Sequence, residues 1–257
     1  MLATLFLSHG SPMHALQAGR AGAGWVQLGE RIGKPRAVLI ASAHWESEWP
    51  MLTTSSRPET IHDFGGFPDE LYRLRYPAPG APAVAQRAID LLKAAGIPAS
   101  ANGCRGLDHG AWSPLLHMYP QADVPVVELA LQSALGPRHH YRIGQALEAL
   151  RGEEVLVIGS GHLTHNLREW RGAARAAPAP YVREFQDWVH ARLAAGEVEA
   201  LLEYRSRAPH AARAHPTEEH FLPLYVALGA AGAHPAALRL YDAIESGVLA
   251  MDAYRFD

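Results

Sequence analysis

The sequence predicts one α/β domain. A central sheet, mostly parallel or mixed, is flanked by helices, and a metal site lies at the C-terminal ends of its strands. Three stretches carry this expectation. Residues 37–43 (AVLIASA) are apolar and rich in β-branched side chains, as in a strand buried on both faces, and His44 and Trp45 follow at once. Residues 5–8 (LFLS) run into His9-Gly10-Ser11-Pro12, and residues 155–158 (VLVI) run into Gly159-Ser160-Gly161-His162. Open α/β sheets bind ligands outside the carboxyl ends of their strands. Histidine recurring there is the main clue.

The elements follow in order. Residues 3–8 read as a short strand closed by a Gly-Ser-Pro turn. Helical spacing of Trp25, Leu28 and Ile32 marks residues 24–32, with Gly33 as the stop. The strand at 37–43 comes next, then a shorter one at 51–55. Residues 56–82 are loop-rich and contain IHDFGGFP (61–68) and YPAPG (76–80); long ordered loops are more often functional than idle. Residues 82–95 form an amphipathic helix, with Val84, Ala88, Leu91, Leu92 and Ala95 on one stripe. A short strand at 97–101 precedes a turn at 106–112, which leads into a helix carrying Leu115, Leu116 and Met118.

Residues 124–131 are another apolar strand holding one acid, Glu128, followed by a helix at 141–150 and the strand at 155–158. Residues 171–180 (RGAARAAPAP) read as a low-complexity loop within the domain. Helices are expected at 181–195, 198–204 and 217–228, the last capped by Thr217 with Glu218 and Glu219 in its first turn. Strand-like segments at 237–243 and 247–256 close the chain. No repeat and no internal boundary appears, so residues 1–257 are expected to be one domain.

Composition narrows the function classes. The chain has 257 residues, 48% of them hydrophobic and 19% charged, which is enough apolar material for a substantial core. Its net charge of −3 and the lack of a basic stripe argue against nucleic acid and anionic membranes. The single cysteine, Cys104, rules out an internal disulfide and fits a reducing compartment. No signal peptide and no apolar run of the ~20 residues a membrane span needs can be found, so a cytoplasmic location is expected. Fifteen histidines against that one cysteine is the unusual entry. Histidine is the commonest metal ligand and titrates near neutral pH.

Each histidine has a plain structural alternative. His9 and His44 could be hydrogen-bonded strand ends, but neighbouring strands would bring both imidazoles to one sheet edge, where Gly10, Ser11, Ser42 and Ala43 leave room for a ligand. His162 and His165, three apart, would share a face on one helical turn. His220 is either an ordinary first-turn helix residue or a ligand. Asp108-His109 and His62-Asp63 are each either solvated turns or acid–imidazole pairs tuned for proton transfer. His139, His140, His190, His210, His215 and His234 lie in polar or loop context and read as surface residues. No nucleophile elbow surrounds Ser8, Ser11 or Ser160, and the chain has no P-loop, GxGxxG or HExxH.

Seven strings occur in series: SHGSP (8–12), SAHW (42–45), IHDFGGFP (61–68), YPAPG (76–80), LDHGAW (107–112), GSGHLTHN (159–166) and EHFLPL (219–224). Together they resemble the class III extradiol ring-cleaving dioxygenases, in the DOPA-dioxygenase branch, over nearly the whole chain. The resemblance implies a non-haem Fe(II) that opens a catechol ring beside its diol with O₂, so the partners are a small catechol and O₂; a homo-oligomer is open. It implies His9, His44 and His220 as metal ligands, His165 as a fourth ligand or the acid/base residue, and His109 as an imidazole facing substrate. Ser11, Trp45, His62, Phe64, Phe67 and Trp112 are candidate substrate contacts, although the aromatic residues among them could equally be core. Non-haem Fe(II) is usually held by two histidines and a carboxylate. His220 in the third position departs from that pattern, and three histidines also suit Zn²⁺. A zinc hydrolase on the same site is therefore the competing reading, and a non-catalytic metal-binding protein a third.

Overall fold

The computed structural model describes residues 1–170 and 177–257. Its core is an eight-stranded sheet in the order β4-β3-β5-β2-β6-β1-β10-β7. The strands are β1 (Thr4–Ser8), β2 (Ala37–Glu46), β3 (Met51–Thr53), β4 (Ser100–Asn102), β5 (Val126–Leu131), β6 (Val155–Gly161), β7 (Ala237–Tyr241) and β10 (Ala253–Phe256). β8 (Ile244–Glu245) and β9 (Leu249–Ala250) form a separate two-stranded ribbon. The central run β5-β2-β6-β1 is parallel. At one margin β10 and β7 are antiparallel, and at the other β3 pairs antiparallel with β5 and parallel with β4. The expected mixed α/β sheet is the observed one.

The central strands are apolar throughout because both of their faces are covered. Along β2, Ala37, Leu39 and Ala41 enter one core while Val38 and Ile40 enter the other. β6 divides the same way, Val155 and Val157 against Leu156 and Ile158. Among the described residues ten α-helices cover the faces: α1 (Gly19–Ile32), α2 (Asp69–Arg73), α3 (Pro82–Ala94), α4 (His109–Met118), α5 (Gly136–Leu147), α6 (Pro180–Ala194), α7 (Val198–Leu202), α8 (Tyr204–Arg207), α9 (Ala211–Ala214) and α10 (Leu222–Ala230). α1 and α4 pack on one face; α3, α5, α6 and α10 pack on the other.

Several boundaries move from the expected ones for identifiable reasons. α1 begins at Gly19, before the apolar spacing starts, because its first turn carries small residues that give no periodic signal. The segment expected at 217–228 is helical only from Leu222, with Pro223 in its first turn. Thr217 caps nothing; its hydroxyl donates to the Glu219 carboxylate. α10 is buried all round, so it lacks the amphipathic stripe that marks an ordinary helix start. His162 and His165 do not share a helical turn, since residues 162–166 are irregular chain beyond β6. His140 and His215, expected at the surface, are fully buried. Of the loop expected at 171–180, residues 171–176 lie outside the described residues. No helix among the described residues is long and apolar enough to cross a membrane.

Candidate metal centre

β1, β2 and β6 end side by side, and the histidines after them meet there. His9 follows β1 directly, and its amide donates to the Gly161 carbonyl at the end of β6 (3.0 Å). Gly10 then turns the chain at φ +72°, the left-handed region, where a Cβ would also strike the His14 ring. His44 lies within β2, in a stretch where the register against β5 shifts: Ala41 pairs with Leu129 and Glu46 already with Leu131. Irregular pairing of this kind re-aims a side chain beside a site. His220 arrives on the turn before α10. Its carbonyl accepts from the His162 amide (2.7 Å), and it sits so close to β6 that a Cβ on Gly161 would overlap it.

Three Nε2 atoms converge. His44 Nε2 is 3.1 Å from His9 Nε2 and 3.3 Å from His220 Nε2. The other nitrogen of each ring decides what these contacts are. Asp63 Oδ2 lies 3.3 Å from His44 Nδ1, and Glu219 Oε1 lies 2.9 Å from His220 Nδ1. A carboxylate only accepts, so the hydrogen-bonded His220 Nδ1 carries the proton, and the carboxylate beside His44 Nδ1 favours the same tautomer there. For His9 the partner is Ser160 Oγ at 3.0 Å. Pro114, inside α4, has no N–H to offer the Gly110 carbonyl, and Ser160 donates to that carbonyl instead (2.5 Å). The serine oxygen is thus left to accept from His9 Nδ1–H.

Each Nε2 then carries a lone pair, and that of His44 meets those of His9 and His220 across little more than 3 Å. That arrangement repels unless a cation sits among them. Nitrogens each about 2.0–2.1 Å from one tetrahedral ion stand roughly 3.3 Å apart, so the spacing fits a metal bound by three neutral imidazoles. Burial keeps the rings neutral. It presses His44 down to about 4 and His9 and His220 well below the usual histidine range, with the neighbouring imidazoles adding to the effect.

Two further imidazoles border this triad. His109 opens α4, whose N-cap is Asp108. Its acid partner is Asp63, not the adjacent Asp108: Asp63 accepts from His109 Nδ1 (2.9 Å) and from the His109 amide (2.9 Å). Burial opposes ionisation of Asp63, yet the hydrogen bonds and charge of His109 outweigh it and hold the acid at about 2. Asp108 faces inward, taking Ser42 Oγ at 2.6 Å and Arg105 Nη2 at 3.1 Å, and that arginine also donates to the His44 carbonyl. Burial pushes Glu128, behind Asp108, well above the carboxylate range. His165 stacks on His220, with centroids 3.5 Å apart and planes 14° apart, and burial lowers it to about 4.

A cavity of about 340 Å³ opens over these groups. Of the expected substrate contacts, Ser11, Phe64 and Phe67 line it. Trp45, His62 and Trp112 do not. Trp45 points to the opposite side of β2 from His44, where Arg105 lies over its ring. His62 Nε2 bonds the Leu74 carbonyl, and Trp112 Nε1 donates to the Ile61 carbonyl behind Phe64. From sequence, Ser160 is weighed only as a nucleophile and His162 only as a face-sharing neighbour of His165; in the fold Ser160 is the partner of His9 Nδ1, and the buried His162 ring lines the cavity. Glu219 had a local signal in its adjacency to His220. The Asp63–His109 pair, 46 residues apart, had none.

Residues 3–248 match the family described as the catalytic LigB subunit of aromatic ring-opening dioxygenase. The chain is 41% identical to a 4,5-DOPA dioxygenase extradiol of Beta vulgaris, with 98% of this chain and 96% of that protein covered. It is 40% identical to the protein of the same name from Escherichia coli K12, over 96% and 92%. The crystal structure of an uncharacterized protein from Escherichia coli K12 superposes with a TM-score of 0.85 at 33% identity and covers both chains completely.

Proposed function

Because the chain belongs to the LigB family of aromatic ring-opening dioxygenases, in its extradiol DOPA-dioxygenase branch, we propose that it opens a catechol ring with O₂ at an iron(II) ion held by His9, His44 and His220. The observation that carries this reading is the convergence of three Nε2 atoms, with Nδ1 hydrogen-bonded to Ser160 in His9 and to Glu219 in His220 and lying 3.3 Å from Asp63 in His44. Bound iron(II) would supply a redox path between an electron-rich ring and O₂ and a positive charge that acidifies a catechol hydroxyl. The rest of the work falls to the chain.

His165 takes the acid/base role rather than that of a fourth ligand. An imidazole binds metal in its own ring plane, and the His165 plane lies parallel to that of His220, a stacking distance away. Neutral at pH 7, it can accept a catechol proton and return it to an oxygen product. His109 has its Nδ1 proton committed to Asp63, so its Nε2 is the atom left to face a substrate oxygen, and Asp63 supports any positive charge that develops on the ring. Asp63 Oδ2 also lies 3.3 Å from His44 Nδ1, so the same carboxylate borders a metal-facing ring and a substrate-facing one. Phe64 stands edge-on to His109 and covers the flat space beside it.

The test is anaerobic loading of the metal-free protein with Fe(II), followed by catechol-dependent O₂ uptake and a search for a coloured ring-opened product. Stoichiometric uptake is expected. A fully loaded protein that consumes no O₂ with any of a panel of catechols, DOPA among them, overturns the proposal. The zinc hydrolase weighed from the sequence has no observation of its own in its favour, because the relatives found are ring-opening dioxygenases.

A further inference from the structure

Trp45 closes the string SAHW and Asp108 belongs to LDHGAW, yet neither lines the cavity. Both meet Arg105. His44 falls in the stretch of β2 where pairing with β5 lapses, between Ala41 and Glu46. Two side chains bond its backbone there. The His44 amide donates to Ser42 Oγ (3.2 Å), and the His44 carbonyl accepts from Arg105 Nη2 (3.2 Å). Both of those side chains are tied to one carboxylate: Ser42 Oγ donates to Asp108 Oδ1 at 2.6 Å, and Arg105 Nη2 donates to Asp108 Oδ2 at 3.1 Å. Asp108 Oδ1 also accepts from the Ala111 amide (3.2 Å), capping α4, the helix that His109 begins.

The hub is itself held from several sides. Asp108 is fully buried, and its amide donates to Glu128 Oε2 on β5 (3.1 Å). Asn102 Oδ1 accepts from the amides of Cys104 and Arg105, which fixes the turn that carries the arginine. The guanidinium lies over the Trp45 ring, 5.3 Å from its centroid. α4 starts so close to β2 that a Cβ on Gly110 would stand 2.5 Å from Ser42 Oγ and 3.1 Å from the His44 ring. One carboxylate therefore joins the backbone of a metal-facing histidine to the helix start that carries a substrate-facing one.

We propose that Asp108 and Arg105 are positioning residues: through Ser42 and the α4 cap they hold His44 and His109 as one unit, so that the spacing of these two rings, 4.0 Å between centroids, is set from behind the site. This rests on the ring-opening reading above and adds to it two residues that touch neither metal nor substrate. A misplacement of about 1 Å can cost about 10²-fold in rate, so even a small tilt of His44 is readable.

Asp108→Asn on the full chain separates this role from packing. The substituted side chain keeps an oxygen for Ser42 and for the α4 cap, while its amide nitrogen faces Arg105 donor to donor. The Fe(II)-loaded variant should keep its metal and lose about 10²-fold in kcat per bound iron. The Co(II)-loaded variant gives a reading that needs no turnover: its visible absorption, which follows ligand geometry, should change in position and intensity against the unmutated protein. Arg105→Gln should change the spectrum in the same sense and lose about tenfold in kcat, and Arg105→Lys should recover most of that loss. If Asp108→Asn does not fold, the two Arg105 variants decide by the same readings. A Co(II) spectrum unchanged in the folded variants overturns the inference, whatever happens to their unfolding midpoints, and so does an unchanged kcat per bound iron. Spectra that respond while the unmutated Fe(II) protein turns over no catechol overturn the ring-opening reading instead and leave the aim of His44 with Asp108 and Arg105.

Discussion

His140 and His220 are both buried and both neutral by burial, yet only one of them points at a site. His140 spends its two nitrogens on backbone: Nδ1 donates to the Gly136 carbonyl at 2.7 Å, and Nε2 accepts from the Gln132 amide at 3.1 Å. His220 spends Nδ1 on Glu219 and leaves Nε2 facing two other imidazoles. His215 Nε2 bonds the Leu163 carbonyl and its ring stacks on Phe221, while its buried Nδ1 has no hydrogen-bond partner. Burial and a lowered pKa therefore do not separate a functional histidine from a structural one. What separates them is whether a nitrogen left free by the fold faces other imidazoles, as in His220, or is bonded to backbone or enclosed by the core, as in His140 and His215.

The strongest way to break that distinction is to remove one ring from each set. His220→Ala should bring bound metal from one ion per chain to near zero, and ring opening should vanish with it. His140→Ala should keep its metal and instead cost about 1–3 kcal/mol, because the Gln132 amide is left buried without a partner. Metal analysis beside denaturant unfolding reads both, and a metal-free His140→Ala would sink the comparison. Next in size, His165→Ala should lower kcat by about 10²- to 10⁴-fold at normal metal content. Loss of metal from that variant would make His165 a ligand after all.

Smaller effects test how the rings are aimed. Ser160→Ala and Glu219→Ala each remove the partner that holds an Nδ1 proton, and each should weaken metal affinity by about 10- to 100-fold with the fold intact. Metal affinities unchanged in both variants would mean that packing alone orients the ligands. The last effect concerns pH. His140 sits at about 4 in the fold against about 6.5 when unfolded, so between those values the unfolded chain binds the extra proton. Its contribution is present in full above pH 6.5 and is lost as pH falls toward 4, on the order of 3 kcal/mol. His140→Gln should flatten that part of the metal-free protein's stability profile, measured by urea unfolding from pH 7 to pH 4.5; an unchanged slope would assign the loss to other groups.

Periodicity and strand-end position are local properties, and the sequence by itself determined what depends on them. Unbroken apolar runs in β1, β2 and β6 required strands buried on both faces, and His9 and His44 followed those runs closely enough to be placed at the sheet edge. The seven strings and the residue types they carry pointed to the same histidines. Only the tertiary structure decided the pairings: His109 with Asp63 rather than Asp108, His9 with Ser160, Trp45 and Trp112 turned away from the cavity. It also placed His140 inside. The physical reason is that a hydrogen bond has no sequence signature when its partners are far apart. His44 and His220 are separated by 176 residues and meet because β2, β6 and the turn before α10 pack edge to edge. Which nitrogen keeps its proton then follows from an acceptor that packing delivers, down to a carbonyl freed by Pro114.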